Sequence, residues 1–261
     1  MKKFFEIVNN IWKIEELRSR ILVTLGLLLV YRFGAQVVLP GIDTSQLAEL
    51  SSNTEQGILG ILNAFTGGAF ANASVFALGI MPYISASIVV QLMGIAIPYL
   101  QKLDKEGESG RKTKTQITRW LTIAICIVQA PAYLYSLGAL GVPDSAFLLG
   151  KGLNFIVPSV IILVTGCVFA MWLGEKITDK GIGNGISLLI MIGIIATLPQ
   201  AFVQESASRL NGNGGPMLIL VEVILWFAVI LASVLLVMAV RRIPVQYARR
   251  TASGGYEKNV M

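Results

Sequence analysis

Histidine does not occur among the 261 residues, so the chain has no imidazole to serve as a general base, to complete a serine triad or to hold a metal in the usual way. Its two cysteines, Cys126 and Cys167, both lie inside apolar runs and in no metal-ligand spacing. They form neither a CxxC motif nor a disulfide framework, and small packing residues is the better description. No catalytic residue, metal ligand or cofactor is assigned on these grounds. What remains is residues that act by shape, charge and wetting. Ile80 and Ile84 stand four apart, and Ile190 and Ile194 repeat that spacing, which puts each pair on one helix face. Ser85, Ser87, Gln91 and Gln129 are polar residues within apolar stretches, where such side chains normally face a partner or a wet cavity. Arg32 and Glu222 are the charges set within apolar runs.

The elements that would carry these residues follow from composition. The chain is 54% hydrophobic and 14% charged, with a mean hydropathy of +0.71, whereas soluble domains run near about 25% charged. A hydrocarbon core about 30 Å thick needs about 20 apolar residues in a helix. By that measure we expect an all-α polytopic membrane protein with six spans, at 21–39, 75–97, 119–140, 154–174, 183–203 and 217–240. Residues 1–20 are too charged to head a cleaved signal peptide. Phe4, Phe5, Val8, Ile11, Trp12 and Ile14 recur at helical spacing beside five Lys and Arg, which predicts an amphipathic interfacial helix.

The net charge of +6 matters less than where the charges fall. Eighteen Lys and Arg lie in the N-terminal stretch, in 98–119, in 175–180 and in 241–261, against Lys151 and Arg209 in the intervening connections. This bias predicts both termini on the cytoplasmic side. The basic connections also suit anionic lipid.

The 40–74 connection contains an apolar stretch too short to span, at about 57–70. Ile58, Leu59, Ile61, Leu62 and Phe65 suggest a short helix ended by Gly67-Gly68. It is either an interfacial helix on the outer surface or a re-entrant element lining a protein cavity. The glycines of 181–185 suit a tight turn between the fourth and fifth spans.

Three longer motifs take the argument further: Phe76-Ala77-Leu78-Gly79-Ile80-Met81-Pro82-Tyr83-Ile84-Ser85-Ala86-Ser87-Ile88, the loop Lys105-Glu106-Gly107-Glu108-Ser109-Gly110-Arg111, and Gly181-Ile182-Gly183-Asn184-Gly185-Ile186-Ser187. With Tyr31-Arg32-Phe33-Gly34, Pro40-Gly41-Ile42-Asp43 and Phe65-Thr66-Gly67-Gly68-Ala69, the sequence resembles the SecY family, the channel subunits of the bacterial protein-conducting translocon. The resemblance runs over essentially the whole chain, in family order. It implies a fold of ten transmembrane helices in two halves of five, of which this chain has the first half (21–203) with a plug at about 57–70, the sixth helix with its preceding loop (204–240), and the start of a cytoplasmic loop (241–261). It is thus expected to be a truncated or partial member.

The resemblance also implies roles. Ile80, Ile84, Ile190 and Ile194 would belong to an apolar pore ring, a constriction that dewets and still yields sideways. Ile58, Leu59, Ile61, Leu62, Asn63 and Phe65 would form the plug, with Gly67 and Gly68 as its joint. Ser85, Ser87, Gln91 and Gln129 would lie on one side of a lateral gate. Arg241, Arg242, Arg249 and Arg250 would dock the ribosome or the SecA motor. Further implied partners are the SecE and SecG subunits, and the translocating polypeptides with their signal sequences, all at the bacterial inner membrane. The competing class is a secondary transporter for a small solute, which ordinarily keeps an ionisable site near the bilayer midplane. An intramembrane enzyme would need a catalytic dyad or metal set that the spans do not supply.

Overall fold

The computed structural model describes residues 12–44, 58–139, 142–148, 150, 152–211 and 215–240. The chain is all-α, with isolated β-bridges in place of strands among the described residues. It divides into two compact units, Met1–Gln200 and Ala201–Met261.

In the first unit, α1 (Glu15–Gly34) opens with Glu15 and Glu16 at the positive end of its dipole. Residues 15–20, expected in the N-terminal interfacial helix, are therefore the first turns of the helix that holds 21–34 of the expected first span, and α1 is not among the described helices long and apolar enough to cross a membrane. At the other end α1 stops at Gly34, short of the expected boundary at 39, because the chain there exchanges helical bonds for pairing with a distant segment. The Leu39 N–H donates to the Ala73 carbonyl and the Val75 N–H to the Val37 carbonyl, both at 2.9 Å. A few residues on, the Asp43 N–H donates to the Ala146 carbonyl (2.9 Å) and Leu148 to Gly41 (3.0 Å). Residues 37–43 thus tie two connecting segments together.

The short helix α2 (Ile58–Phe65) follows, then a run of turns as far as Ile80. Hydropathy places the start of the second span at 75, but α3 (Met81–Ala96) starts six residues later, with Pro82 in its first turn. Gly79, at φ +54°, ends the turns in a conformation that other residues rarely adopt. Pro98 ends α3, since the residue before a proline is pushed towards extended backbone. Ile97 is extended, and α4 (Pro98–Lys105) leaves at 98° to α3.

The polar connection expected at 98–118 is mostly helical. It comprises α4 and the first turns of α5 (Glu108–Ala139), held together by the Lys114 Nζ to Asp104 Oδ1 ion pair at 2.8 Å. Likewise α6 (Leu153–Lys180) carries the fourth span on through 175–180, and α7 (Gly185–Asn211) carries the fifth into the 204–216 connection. Charged helical turns at a membrane boundary are invisible to a hydropathy count. Helices α5, α6, α7 and α8 (Gly215–Met238) are each long and apolar enough to cross a membrane, and α3 with α4 makes a bent fifth candidate.

Two clusters form the core of the first unit. One gathers Leu39, Ile42, Phe70, Ala73 and Ala77 against Tyr133, Leu137, Phe155 and Leu163, so the turn region seats on α5 and α6. Tyr133 anchors it, its hydroxyl donating to the Phe70 carbonyl at 2.8 Å. The other gathers Leu28, Tyr31, Ala69, Phe76 and Ile80 against Ala170, Leu173, Ile177 and Leu189, joining α1, the turns, α6 and α7. Tyr31, Phe76, Phe169 and Trp172 stack in succession from this cluster out to the exposed face of α6. In the second unit, Arg209 pairs with Glu205 at 2.7 Å and with Glu222 of α8 at 2.8 Å.

Candidate functional site

The site begins with the turn that closes α2. A short apolar helix can stop only if its last carbonyls find donors. The Gly68 N–H donates to the Asn63 carbonyl (2.9 Å) and the Thr66 N–H to the Leu62 carbonyl (3.0 Å). The Thr66 hydroxyl lies 3.1 Å from the carbonyls of Leu62 and Asn63 and accepts the Phe70 N–H at 3.2 Å. Gly67 and Gly68 take φ of +66° and +88°, which favours glycine at both places. Asn63 fixes the exit of the turn, its Oδ1 accepting the Ala71 N–H at 3.0 Å. The joint is therefore a defined, bonded turn.

Two other helices meet this turn. From α1, Arg32 Nη1 donates to the Gly67 carbonyl. From α7, the backbone of Gly193 comes so close that a Cβ on Gly67 would lie 2.9 Å from its Cα, and a Cβ on Gly193 would lie 2.8 Å from the Phe65 carbonyl oxygen. Real Cβ atoms essentially never come so near, so the contact exists only because both positions are glycine.

The isoleucine pairs flank this seat. Ile80 is the cap residue before α3, and the Ile84 N–H bonds back to its carbonyl at 3.1 Å. Ile80 is buried in the second cluster beside Ala69 and Leu189, and Ile84 packs against that cluster half-buried. On α7, Ile190 is half-buried, and Ile194, next to Gly193, is 40% exposed. On the short helix, Ile61 is 58% exposed, Leu62 and Asn63 are half-buried, and Phe65 is exposed. The backbone of Ile58 and Leu59 belongs to α2, while their side chains lie outside the described residues, as do Arg241, Arg242, Arg249 and Arg250.

The polar residues expected at a gate do not come to one point. Ser85 and Gln91 are exposed on α3, and Ser87 is half-buried, accepting the Gln91 Nε2 donor at 3.2 Å. Gln129 is exposed on α5, the helix against which α3 packs. At the other end of these helices, Arg119 grips Glu175 with two bonds of 2.9 and 2.7 Å, tying α5 to α6.

The glycine turn expected at 181–185 holds α1, α6 and α7 in register. Thr24 of α1 accepts the Ile182 N–H at 3.1 Å, and Thr178 of α6 accepts the Gly185 N–H at 2.9 Å. Asn184 Oδ1 accepts the Ile186 N–H at 3.1 Å, capping the start of α7.

Sequence reasoning missed Gly193 and the partner of Arg32. A glycine between two isoleucines of a membrane helix is the signal that was available for the first, since small residues let backbones approach. For the second, the signal was an arginine within an expected span, which demands a partner.

Long apolar helices, a broken one, and an interior charge tied to a short helix's turn define a polytopic α-helical membrane protein. The family model for SecY matches residues 74–261, and the chain belongs to the SecY family. It is 44% identical over 237 residues to the protein translocase subunit SecY of Haemophilus influenzae, covering 90% of this chain and 53% of that protein. It is 42% identical over 240 residues to that of Escherichia coli K12, with 90% and 53% covered, and 44% identical over 239 residues to that of Vibrio cholerae, with 91% and 53% covered. The chain spans about half the length of these curated relatives.

Proposed function

We propose that the chain builds part of a protein-conducting channel in the bacterial inner membrane, with both of its termini in the cytoplasm. Through this channel unfolded polypeptides cross, and membrane segments leave sideways past α3 and α5. It acts without chemistry of its own, together with SecE, SecG and the SecA motor or the ribosome, which the basic segments at 98–119 and 241–261 would engage. Ile80, Ile84, Ile190 and Ile194 contribute to the apolar constriction, and residues 57–70 are its plug.

The observation that supports this best is the seat of the 66–68 turn. The turn leans on the stretch of α7 that bears Ile190 and Ile194, and Ala69 shares a cluster with Ile80. A short helix held at one end by a turn can be displaced at lower cost than a span. The test is cysteine cross-linking at position 61, because Ile61 is exposed while the side chain of Asn63 closes the turn. In the assembled channel, Ile61→Cys should cross-link to a stalled translocating chain. No cross-link, with equal thiol reactivity in idle and engaged channels, would overturn the plug assignment in favour of an interfacial helix.

A further inference from the structure

A guanidinium inside a membrane span is retained only where something answers its charge. Arg32 is half-buried on α1, and its Nη1 is bonded to a backbone carbonyl 35 residues further along the chain, that of Gly67. That carbonyl belongs to the left-handed turn ending α2, where the peptide is already committed to a conformation few residues accept. The same turn rests on Gly193 with no room for a methyl group on either backbone, and a Cβ on Gly67 would also lie 3.1 Å from Arg32 Nη1. The turn is thus held at Gly67 by one strong donor and one glycine surface. A segment leaving its seat must break these contacts, along with those at its far end, where Ala69 and Phe70 are buried and the Tyr133 hydroxyl donates to the Phe70 carbonyl.

We propose that Arg32 and Gly193 form a latch that sets how readily the 57–70 segment leaves its resting place, with Arg32 as the positioning residue and Gly193 as the surface on which the turn rests. The inference rests on the plug reading above. A charged donor suits this task because its bond to a neutral carbonyl is strong when sheltered and is readily replaced by water once the site is wetted. The carbonyl is main chain, so the latch works whatever residues the tip of the segment carries. Arg32→Lys keeps the charge but offers a point donor on a different stem, so it should restore the latch only in part.

The experiment uses the assembled channel in membranes, with the Ile61→Cys probe and a membrane-impermeant maleimide applied from outside. In the idle channel, Arg32→Gln should speed labelling by about 10- to 150-fold, the range expected for losing one charge-assisted hydrogen bond. Arg32→Lys should fall between it and the channel carrying the probe alone. Gly193→Ala should also speed labelling, because its Cβ would lie only 2.8 Å from the Phe65 carbonyl oxygen and push the turn off its seat. Idle ion conductance should rise in the same order. A merely structural role for Arg32 would lower the melting temperature without that conductance. Should Arg32→Gln not assemble, Gly193→Ala decides alone, since it leaves Arg32 in place. Unchanged labelling in Gly193→Ala, or in Arg32→Gln where it assembles, overturns the latch. The plug reading is judged separately, by whether the channel carrying Ile61→Cys alone cross-links to a stalled chain. Faster labelling without that cross-link would leave the latch standing on a segment that is not a plug.

Discussion

Helices α6 and α8 look alike as sequences, α8 being the more apolar, yet they are built for different surroundings. In α6, Ser159, Leu163, Gly166, Cys167, Ala170, Leu173, Gly174 and Ile177 are buried along its length. In α8, Leu225, Phe227, Val229, Leu231 and Leu235 are exposed, and no described residue is buried. Lipid tails are as apolar as leucine, so hydrophobicity alone gives two membrane helices no reason to associate, and close packing must supply it. The small residues of α6 let backbones approach. A side chain at Gly166 would strike the Val75 carbonyl, and one at Gly174 would lie 3.0 Å from Ile186. In α8 the interior is Leu, Ile, Val, Trp and Phe with Ala228, Ala232 and Ser233, and no glycine lies between Pro216 and Met238. Hydropathy therefore tells which segments enter the bilayer, while glycine and alanine tell which of them pack closely on protein.

The largest effect that could break this contrast comes from adding bulk. Gly166→Leu should destabilise the first unit by about 3 kcal/mol or more, because the obstacle is backbone and cannot rotate away. Ala228→Leu in α8 should stay within about 0.5 kcal/mol. Thermal unfolding of the chain in detergent micelles would show it, and equal losses would refute the distinction. The next effect comes from removing bulk. Leu163 is fully buried, and Leu163→Ala should cost about 2 kcal/mol in lost contacts. Leu231→Ala removes the same atoms from an exposed position and should cost less than about 0.5 kcal/mol in the same assay.

The same division marks what could be read in advance. The apolar cores of α5 to α8 were legible because a run of some 20 apolar residues has few other fates. The helicity of 98–118 was not, although Pro98 at a helix start and Leu100 and Leu103, buried three residues apart, were its signals. The late start of α3 was hidden in another way. Residues 75–80 are as apolar as a span, and only Gly79 and Pro82 hint that they form turns. At Gly34 nothing local ends α1 short of the expected boundary, since what ends it is the pairing of 37–39 with 73–75. For the candidate site, the residues around Gly67-Gly68 were legible as a short helix and its stop, but the contacts of Arg32 and Gly193 join parts of the chain far apart in sequence, and no single stretch encodes them. The four isoleucines differ from their shared spacing for a local reason. Ile80 precedes its helix and turns into the core, whereas Ile194 lies well inside α7 and is far more exposed.

The smallest expected effect is also the one that sharpens the contrast, because it compares like with like. Each unit joins two helices through an arginine and a glutamate, Arg119 with Glu175 in the first and Arg209 with Glu222 in the second. In the first the fork is complete, Nε and Nη2 each meeting one carboxylate oxygen. In the second, Arg209 divides itself between Glu222 and Glu205 on its own helix, with a single contact to each. A complete fork fixes direction as well as distance and so loses less when its side chains are ordered. The Glu175 side chain is only 18% exposed, which limits screening, although the 38% exposure of Arg119 returns part of the gain to water. Glu175→Gln should therefore cost about 1 kcal/mol. A double-mutant cycle with Arg119→Gln should recover most of that as coupling, nearly unchanged between low and high salt. The cycle of Arg209→Gln with Glu222→Gln should show a weaker coupling that fades as salt is added, because Glu205 takes over the freed guanidinium. Equal couplings with equal salt dependence would mean that the two junctions do not differ, and that geometry at the helix ends adds nothing to the packing of their interiors.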